Sequence, residues 1–277
     1  MGLNKELVGK DYGEITYEVT PESIERYARA TNDDNEIYFK GDDAVASPVF
    51  PFVPAFGKLA EAGLDPELQA DVMRLVHGEE EHILHAPIRA GDTLKLHTTL
   101  ESVEVKDSGE TFTLKTVVTN QNGEDVAEVF TNSFIRGSGG GGTKAPAEVQ
   151  EAPEIVYEES VKVDQDQTVR YAEASGDTNP IHVDEQFAKM VGLPGIILHG
   201  MCTMAFAGKA AVKGLAAGDP TRIKRIAVRF SKPVLPGQEL TTRFWASGRS
   251  EGRTTYSFET VNPDGQPVIK NGTLELE

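Results

Sequence analysis

Tyr171-Ala-Glu-Ala-Ser-Gly-Asp-Thr-Asn-Pro-Ile-His182 sets a carboxylate and an imidazole five positions apart on a segment that cannot be regular. In a helix Asp177 and His182 would stand about 140° apart, and in a strand they would face opposite sides, so only a bent backbone lets them converge. Gly176 permits unusual backbone angles, while Pro180 fixes its own φ and drives Asn179 toward extended conformations, which supplies the bend on both sides of the pair. Taken singly, Asp177 after a glycine and Asn179 before a proline are ordinary turn formers. The complete run, ending in an imidazole, points instead to general acid/base chemistry.

The same pattern occurs earlier in a worn form. Tyr27-Ala-x-Ala-Thr-Asn-Asp33-Asp-Asn35-Glu-Ile-Tyr38 aligns with Tyr171 to His182 at a constant offset of 144, keeping the tyrosine, two alanines, Asp, Asn and Ile. Pro48, Pro87 and Gly91 pair with Pro194, Pro233 and Gly237 at offset 146, and Asn120-x-x-Gly123 pairs with Asn262-x-x-Gly265 at offset 142. A drift this small fits loop insertions in an internal repeat. In the alignment Tyr38 stands opposite His182, Glu36 opposite Pro180, and Pro54 opposite Gly200, so the first copy is expected to lack the base, the bend and one backbone N–H.

Between the copies, Gly137-Ser-Gly-Gly-Gly-Gly-Thr143 runs into a Lys-Ala-Pro-Ala-Glu-Val stretch ending at Pro153, a composition that neither fills a core nor holds one conformation. The expected organisation is a first domain over residues 1–136, a linker over 137–153 and a second domain over 154–277. In the second domain the pattern predicts a helix over 166–174, a short one over 184–190 and a long central one over 201–217, stopped by Gly218-Asp-Pro220. Strands follow over 223–230, 240–247, 254–261 and 268–276, separated by Pro-Gly and Asn-Pro-Asp-Gly turns. In the first domain Pro21 to Ala30 reads as a helix with Thr20 as N-cap. Helices first and strands after give an α+β class.

Ser175-Gly-Asp-x-Asn-Pro-x-His182, Ile197-Leu-His-Gly-Met201 and Pro233-Val-x-x-Pro-Gly237 together resemble the MaoC-like, or hydratase 2 type, (3R)-specific enoyl-thioester hydratases and dehydratases. The motifs cover residues 155–277, and the whole length is similar to that of two-domain members. The resemblance implies a double hot-dog fold, two tandem domains forming a pseudo-dimer, each with a long helix wrapped by antiparallel sheet. It implies acyl thioesters of coenzyme A or of acyl-carrier-protein phosphopantetheine as substrates, with no other cofactor. Asp177 and His182 would hold a water jointly, with Asn179 orienting them. Gly200, if it opens the central helix, offers a free N–H at a positive helix end for the thioester oxygen. His199 reads as a polar cap, Cys202 as a small buried residue and Tyr171 as packing. The first domain reads as a noncatalytic structural partner that, by analogy with two-domain relatives, opens a tunnel for the acyl chain. A noncatalytic thioester-binding or scaffold protein on the same pseudo-dimer, or a hot-dog thioesterase, is the alternative.

Composition narrows the partners. The net charge of −17, from 44 acids against 27 bases, argues against nonspecific nucleic-acid binding. One run is the exception: Arg222, Lys224, Arg225, Arg229 and Lys232 lie together without an intervening acid, which suits either coenzyme A or carrier phosphates or a strand with solvated charges. No apolar run of about 18 residues occurs and the first residues show no secretory pattern, so a cytoplasmic protein without a membrane span is expected. A single cysteine, Cys202, excludes an intramolecular disulfide, and no Cys/His cluster suggests a metal. Pseudo-dimers of this kind also invite pairing into a homodimer.

Overall fold

The computed structural model describes residues 2–106, 109–137, 153–250 and 252–277, so nearly all of the expected linker lies outside the described residues. The first half runs β1 (Asp11–Glu18), α1 (Pro21–Ala30), α2 (Phe52–Gly63), β2 (Leu75–Leu84), β3 (Thr93–Lys106), β4 (Gly109–Thr119) and β5 (Asp125–Arg136). The second runs β6 (Tyr157–Lys162), α3 (Gln167–Ser175), α4 (Pro180–Val183), α5 (Glu185–Met190), α6 (Gly200–Gly214), β7 (Ile223–Phe230), β8 (Glu239–Ser250), β9 (Arg253–Val261) and β10 (Pro267–Leu276). Among the described residues no helix is long and apolar enough to cross a membrane.

One antiparallel sheet carries all ten strands in the order β1-β3-β4-β5-β2-β7-β10-β9-β8-β6. Read from the centre outward, each half gives the same sequence of counterparts, so β2 and β7 form the seam of a pseudo-two-fold molecule. Glu81 pairs with Ala227 and His82 with Ile226 across it. This is the double hot-dog arrangement. Repeat mates make the same bonds in each half. The buried hydroxyls of Thr98 and Thr116 lie 2.8 Å apart, and those of Thr242 and Thr260, each 144 residues later, 2.9 Å. Gly91 and Gly237, both at φ +88°, donate 2.8 Å bonds to the carbonyls of Val19 and Val163.

The central helices fill the curled sheet because their sequences are small and apolar. Met201, Cys202, Met204, Ala205, Phe206 and Ala207 of α6 are all buried. Gly214 lets β6 close over the helix, since a Cβ there would overlap the ring of Tyr157. The helix ends three residues before the expected 217: Ala217 and Gly218 turn left-handed and the Gly218 N–H returns to the Val212 carbonyl at 2.8 Å. In α1 the expected cap forms, with the Thr20 hydroxyl accepting from Ser23 N–H and the Ser23 hydroxyl from Thr20 N–H.

The repeat alignment needs one correction. Gly200 is the first residue of α6, whereas Pro54 is the third of α2, which opens at Phe52, because the loop before the first-half helix is two residues shorter. The opening position of α2 therefore keeps an N–H, and what distinguishes it from Gly200 is the buried Phe52 side chain.

The halves also meet through α1 and α3. Tyr27 and Tyr171, mates in the repeat, come within 6.0 Å ring to ring. Gln167 donates to the Ala30 carbonyl at 2.6 Å and Arg170 to the Arg29 carbonyl at 2.8 Å, while Asn32 donates to Asp164 at 3.0 Å.

Candidate active site

The bend predicted between Asp177 and His182 forms through purely local bonds. Gly176, at φ +80°, ends α3 in a left-handed turn that β-carbon-bearing residues adopt only at a cost. The Asp177 N–H then bonds Ser175 Oγ at 3.2 Å, and Asp177 Oδ1 accepts from the Asn179 N–H at 3.1 Å. Asn179 caps α4, its Oδ1 accepting from Ile181 N–H at 3.3 Å, with Pro180 at the first helical position. One turn of helix therefore delivers His182 into the interior. Asn179 is exposed and bonds the backbone, so it shapes the turn that carries the pair and makes no bond to either side chain of it other than through its own N–H.

His182 and His199 each have one ring nitrogen against a carbonyl. His182 Nδ1 lies 2.7 Å from Ile197 O, and a carbonyl can only accept, so that nitrogen carries the proton and Nε2 keeps its lone pair. His199 Nε2 lies 2.9 Å from Asp177 O and carries the proton for the same reason. The two rings stack at 3.7 Å and 27°, and Tyr171 covers His199 at 4.8 Å. Burial pushes the His182 pKa below its ordinary value, against the opposing pull of the Asp177 carboxylate and the Ile197 carbonyl. Burial and then the adjacent His182 push His199 down to about 3. Both imidazoles are neutral near pH 7.

Side-chain donor atoms of Asp177, His182 and His199 all lie within 4.8 Å of one another. The trio does not have the form of a metal centre, because stacked rings hold their nitrogens in nearly parallel planes and cannot aim two lone pairs at one ion. It has the form of a buried base next to a carboxylate.

Gly200 does open α6, as expected, and its N–H makes no hydrogen bond with a described residue. A Cβ at this position would lie 3.1 Å from the Phe230 ring, so the ring forms a wall against Gly200. That wall continues into the first half, through residues that no sequence motif marks. His77 meets Phe230 at 4.8 Å, Phe52 meets His77 at 6.0 Å, Phe56 meets Phe52 at 5.7 Å, and Phe56 comes within 3.9 Å of where a Cβ on Gly176 would sit. An arc of rings from α2, β2 and β7 thus joins the turn before Asp177 to the helix start at Gly200.

His77 is held in that arc by a buried carboxylate. Glu80 accepts from His77 Nε2 at 2.9 Å and from His82 Nε2 at 3.0 Å. Burial pushes the Glu80 pKa up, but the bonds from the two rings outweigh it and hold the carboxyl below its ordinary value. Residues three apart in a strand normally face opposite sides; a register shift between His77 and Glu79 puts His77 back on the Glu80 side. The spacing His77-Gly-Glu-Glu-Glu-His82 was the available signal.

The cationic run is acid-free in sequence but not in space. Arg225 pairs with Glu81 and with Glu275 at 3.4 Å, Arg229 with Glu79 at 3.7 Å, and Lys224 with Glu277 at 3.0 Å, while Arg222 donates to the Glu277 carbonyl at 2.9 Å. Strand pairing of β7 with β2 and β10 brings these acids alongside, which the linear run could not show. Lys232 is exposed and forms no ion pair with a described residue.

The first-half counterparts are differently equipped. Asp33 is buried, with its pKa pushed up to about 6 by burial despite the Asn35 N–H, and Tyr38 occupies the interior where His182 lies in the second half.

Two family models match the chain, one in each half. Residues 147–264 match the MaoC like domain, and residues 6–129 match the FAS1-like dehydratase domain region. The chain is 35% identical to 3-hydroxyacyl-thioester dehydratase Y of Mycobacterium tuberculosis over 85% of its own length and 83% of that protein's. It is 33% identical to the peroxisomal enoyl-CoA hydratase 2 of Arabidopsis thaliana, over 78% and 76% of the respective lengths. A crystal structure of a MaoC-like dehydratase from Phytophthora capsici is 27% identical and superposes with a TM-score of 0.83, covering 99% of this chain and 98% of that one. Similarity of this extent, along both halves and through the Asp177–His182 turn, means that the chain belongs to the MaoC-like dehydratase family.

Proposed function

We propose that the protein catalyses the reversible hydration of trans-2-enoyl thioesters to (3R)-3-hydroxyacyl thioesters. The observation that carries this is the tautomer of His182: its Nδ1–H is held by the Ile197 carbonyl, which leaves a neutral Nε2 acceptor beside the Asp177 carboxylate. Water bound between these groups gives up a proton to the pair as its oxygen bonds C3. The C2=C3 electrons move toward the thioester carbonyl, whose oxygen gains charge, and the Gly200 N–H at the positive end of α6 stabilises it. The pair then returns one proton to C2, so H and OH are added across the double bond with nothing left over. Because the two groups interact, the proton belongs to the pair and not to either member.

The carrier is coenzyme A or phosphopantetheine. Lys232 and the solvent-facing Arg229, at the end of β7 beside Phe230, are the members of the cationic run best placed to meet its phosphates. The acyl chain leaves along the ring arc of Phe56, Phe52, His77 and Phe230 into the first half.

Crotonyl-CoA tests the reaction. Loss of enoyl absorbance without free thiol, and a product of (3R) configuration on chiral analysis, is the expected result. Release of thiol would make the protein a thioesterase, and binding with no turnover would make it a thioester-binding protein.

A further inference from the structure

His199 touches both members of the dyad, yet the hydration mechanism gives it no proton to move. We infer that His199 is a positioning residue, fixing the backbone of Asp177 through its Nε2–H and bracing the His182 ring by stacking, so that the working unit has three members. The inference builds on the hydratase reading of the same site.

The bond to the Asp177 carbonyl spans 22 residues, whereas the other bonds at residues 176–180 stay within the turn itself. Two further contacts dock the turn on the 197–200 segment, from Ile197 N–H to Ile181 O at 3.1 Å and from His182 Nδ1 to Ile197 O at 2.7 Å. His199 is the only one of the three that holds Asp177, and it immediately precedes Gly200. It therefore sets the carboxylate relative to the oxyanion donor.

The stack does a second job. With His199 at 3.7 Å on one face, the His182 ring cannot rotate Nε2 away from the water without displacing its neighbour. His199 is in turn held from behind by Tyr171 at 4.8 Å. Its Nδ1 is buried and has no partner among the described residues, a cost that an apolar ring of similar size would avoid. Filling space alone therefore does not account for an imidazole here. The titratable groups facing it are Asp177, His182 and Tyr171, and since His199 stays neutral it places no like charge beside the base.

Three variants of the full chain separate the two roles. His199→Phe keeps a ring on His182 and loses the donor; His199→Gln offers a donor without the stack; His199→Ala loses both. We expect kcat on crotonyl-CoA to fall about 10- to 100-fold in His199→Phe with KM little changed, as for loss of other groups that orient reacting ones, and to recover in part in His199→Gln. The acid limb of kcat against pH should stay in place in His199→Phe and move to higher pH in His199→Ala, because water admitted beside His182 relieves its burial. Nitrogen-15 NMR of the His182 ring, which needs no turnover, should show one Nδ1–H tautomer in the wild type and exchange between tautomers in His199→Ala. Unchanged kcat in His199→Phe, or an unchanged His182 tautomer in His199→Ala, would overturn the assignment. A wild type inactive on crotonyl-CoA would instead count against the hydratase reading, with the NMR comparison still deciding the positioning role.

Discussion

At the level of single residues, the pair Asp177 and His182 converges because Gly176, Asn179 and Pro180 encode the bend locally, and that is why it was legible in the sequence. Asp177→Ala or His182→Ala should lower hydration by about 10²-fold or more with the fold retained, as expected for positioned acid/base groups. On the proposed mechanism both act on one water, so the double variant should lose little more than the worse single one; additive losses in the same assay would mean independent roles. Gly200 was legible as a helix start, but the Phe230 ring over it was not, because the contact joins an α6 residue to a β7 residue. That ring changes the expected control. Gly200→Pro removes the N–H and should cost about 10²- to 10³-fold, whereas Gly200→Ala keeps it and asks the Phe230 ring to yield a few tenths of an ångström, for a much smaller loss. A folded Gly200→Pro protein of full activity would move the oxyanion donor elsewhere in the 196–202 turn. The contact of His199 with Asp177 could not be read in advance, since its acceptor is a backbone carbonyl and backbone atoms leave no mark in a sequence.

At the level of elements, regular strands were the easier part. Strand β7 begins and ends where its apolar pattern does, β9 and β10 begin one residue early and end as expected, and β8 begins one residue early and ends three late. Edge strand β6, by contrast, has no buried residue and so no hydrophobic alternation strong enough to announce it. The bulge in β2 is the irregularity with the largest consequence, because it brings the half-buried His77 onto the buried Glu80 and His82. Glu80→Ala leaves two imidazole N–H donors without their shared acceptor and should destabilise the protein by about 1–3 kcal/mol in urea unfolding, as an unpaired buried donor does. The carboxyl's folded pKa is depressed, so its contribution is present above the unfolded value and disappears as pH falls through the folded one. His182 and His199 also have depressed values, but as bases their sign produces an earlier effect: once pH drops below the unfolded imidazole value of 6.5, the unfolded chain binds protons that the folded one refuses. Stability should therefore begin to decline below pH 6.5, before carboxylates protonate, by roughly 1 kcal/mol per pH unit for His199, with His182 adding to the decline in the same direction. His199→Phe should flatten that slope, and an identical slope in wild type and variant would show that His199 is not kept neutral.

At the level of the whole molecule, the repeat offset near 144 predicted two halves, and the sheet order shows how they join, as one ten-stranded surface with β2 against β7 at its centre. What a repeat cannot reveal is which residues of the worn copy still serve the active one. We propose that Phe52, Phe56 and His77 do so by closing the ring arc between Gly176 and Gly200, although no catalytic motif marks them. The second half alone should accordingly be both unstable in solution and incomplete in its site. Removing the first half strips β7 of its β2 partner, uncovers α3 where Gln167 and Arg170 reach the Ala30 and Arg29 carbonyls, and takes away the ring arc. An open strand edge flanked by newly exposed apolar surface favours pairing with another copy or aggregation. Residues 153–277 expressed alone should therefore run in size-exclusion chromatography as a dimer or larger species, with hydration far below that of the full chain even though Asp177, His182 and Gly200 are all present. Adding back residues 1–137 should restore monodisperse, active material if the seam is what was missing. A monomeric second half with undiminished turnover would show that the first half contributes neither the edge partner nor the wall.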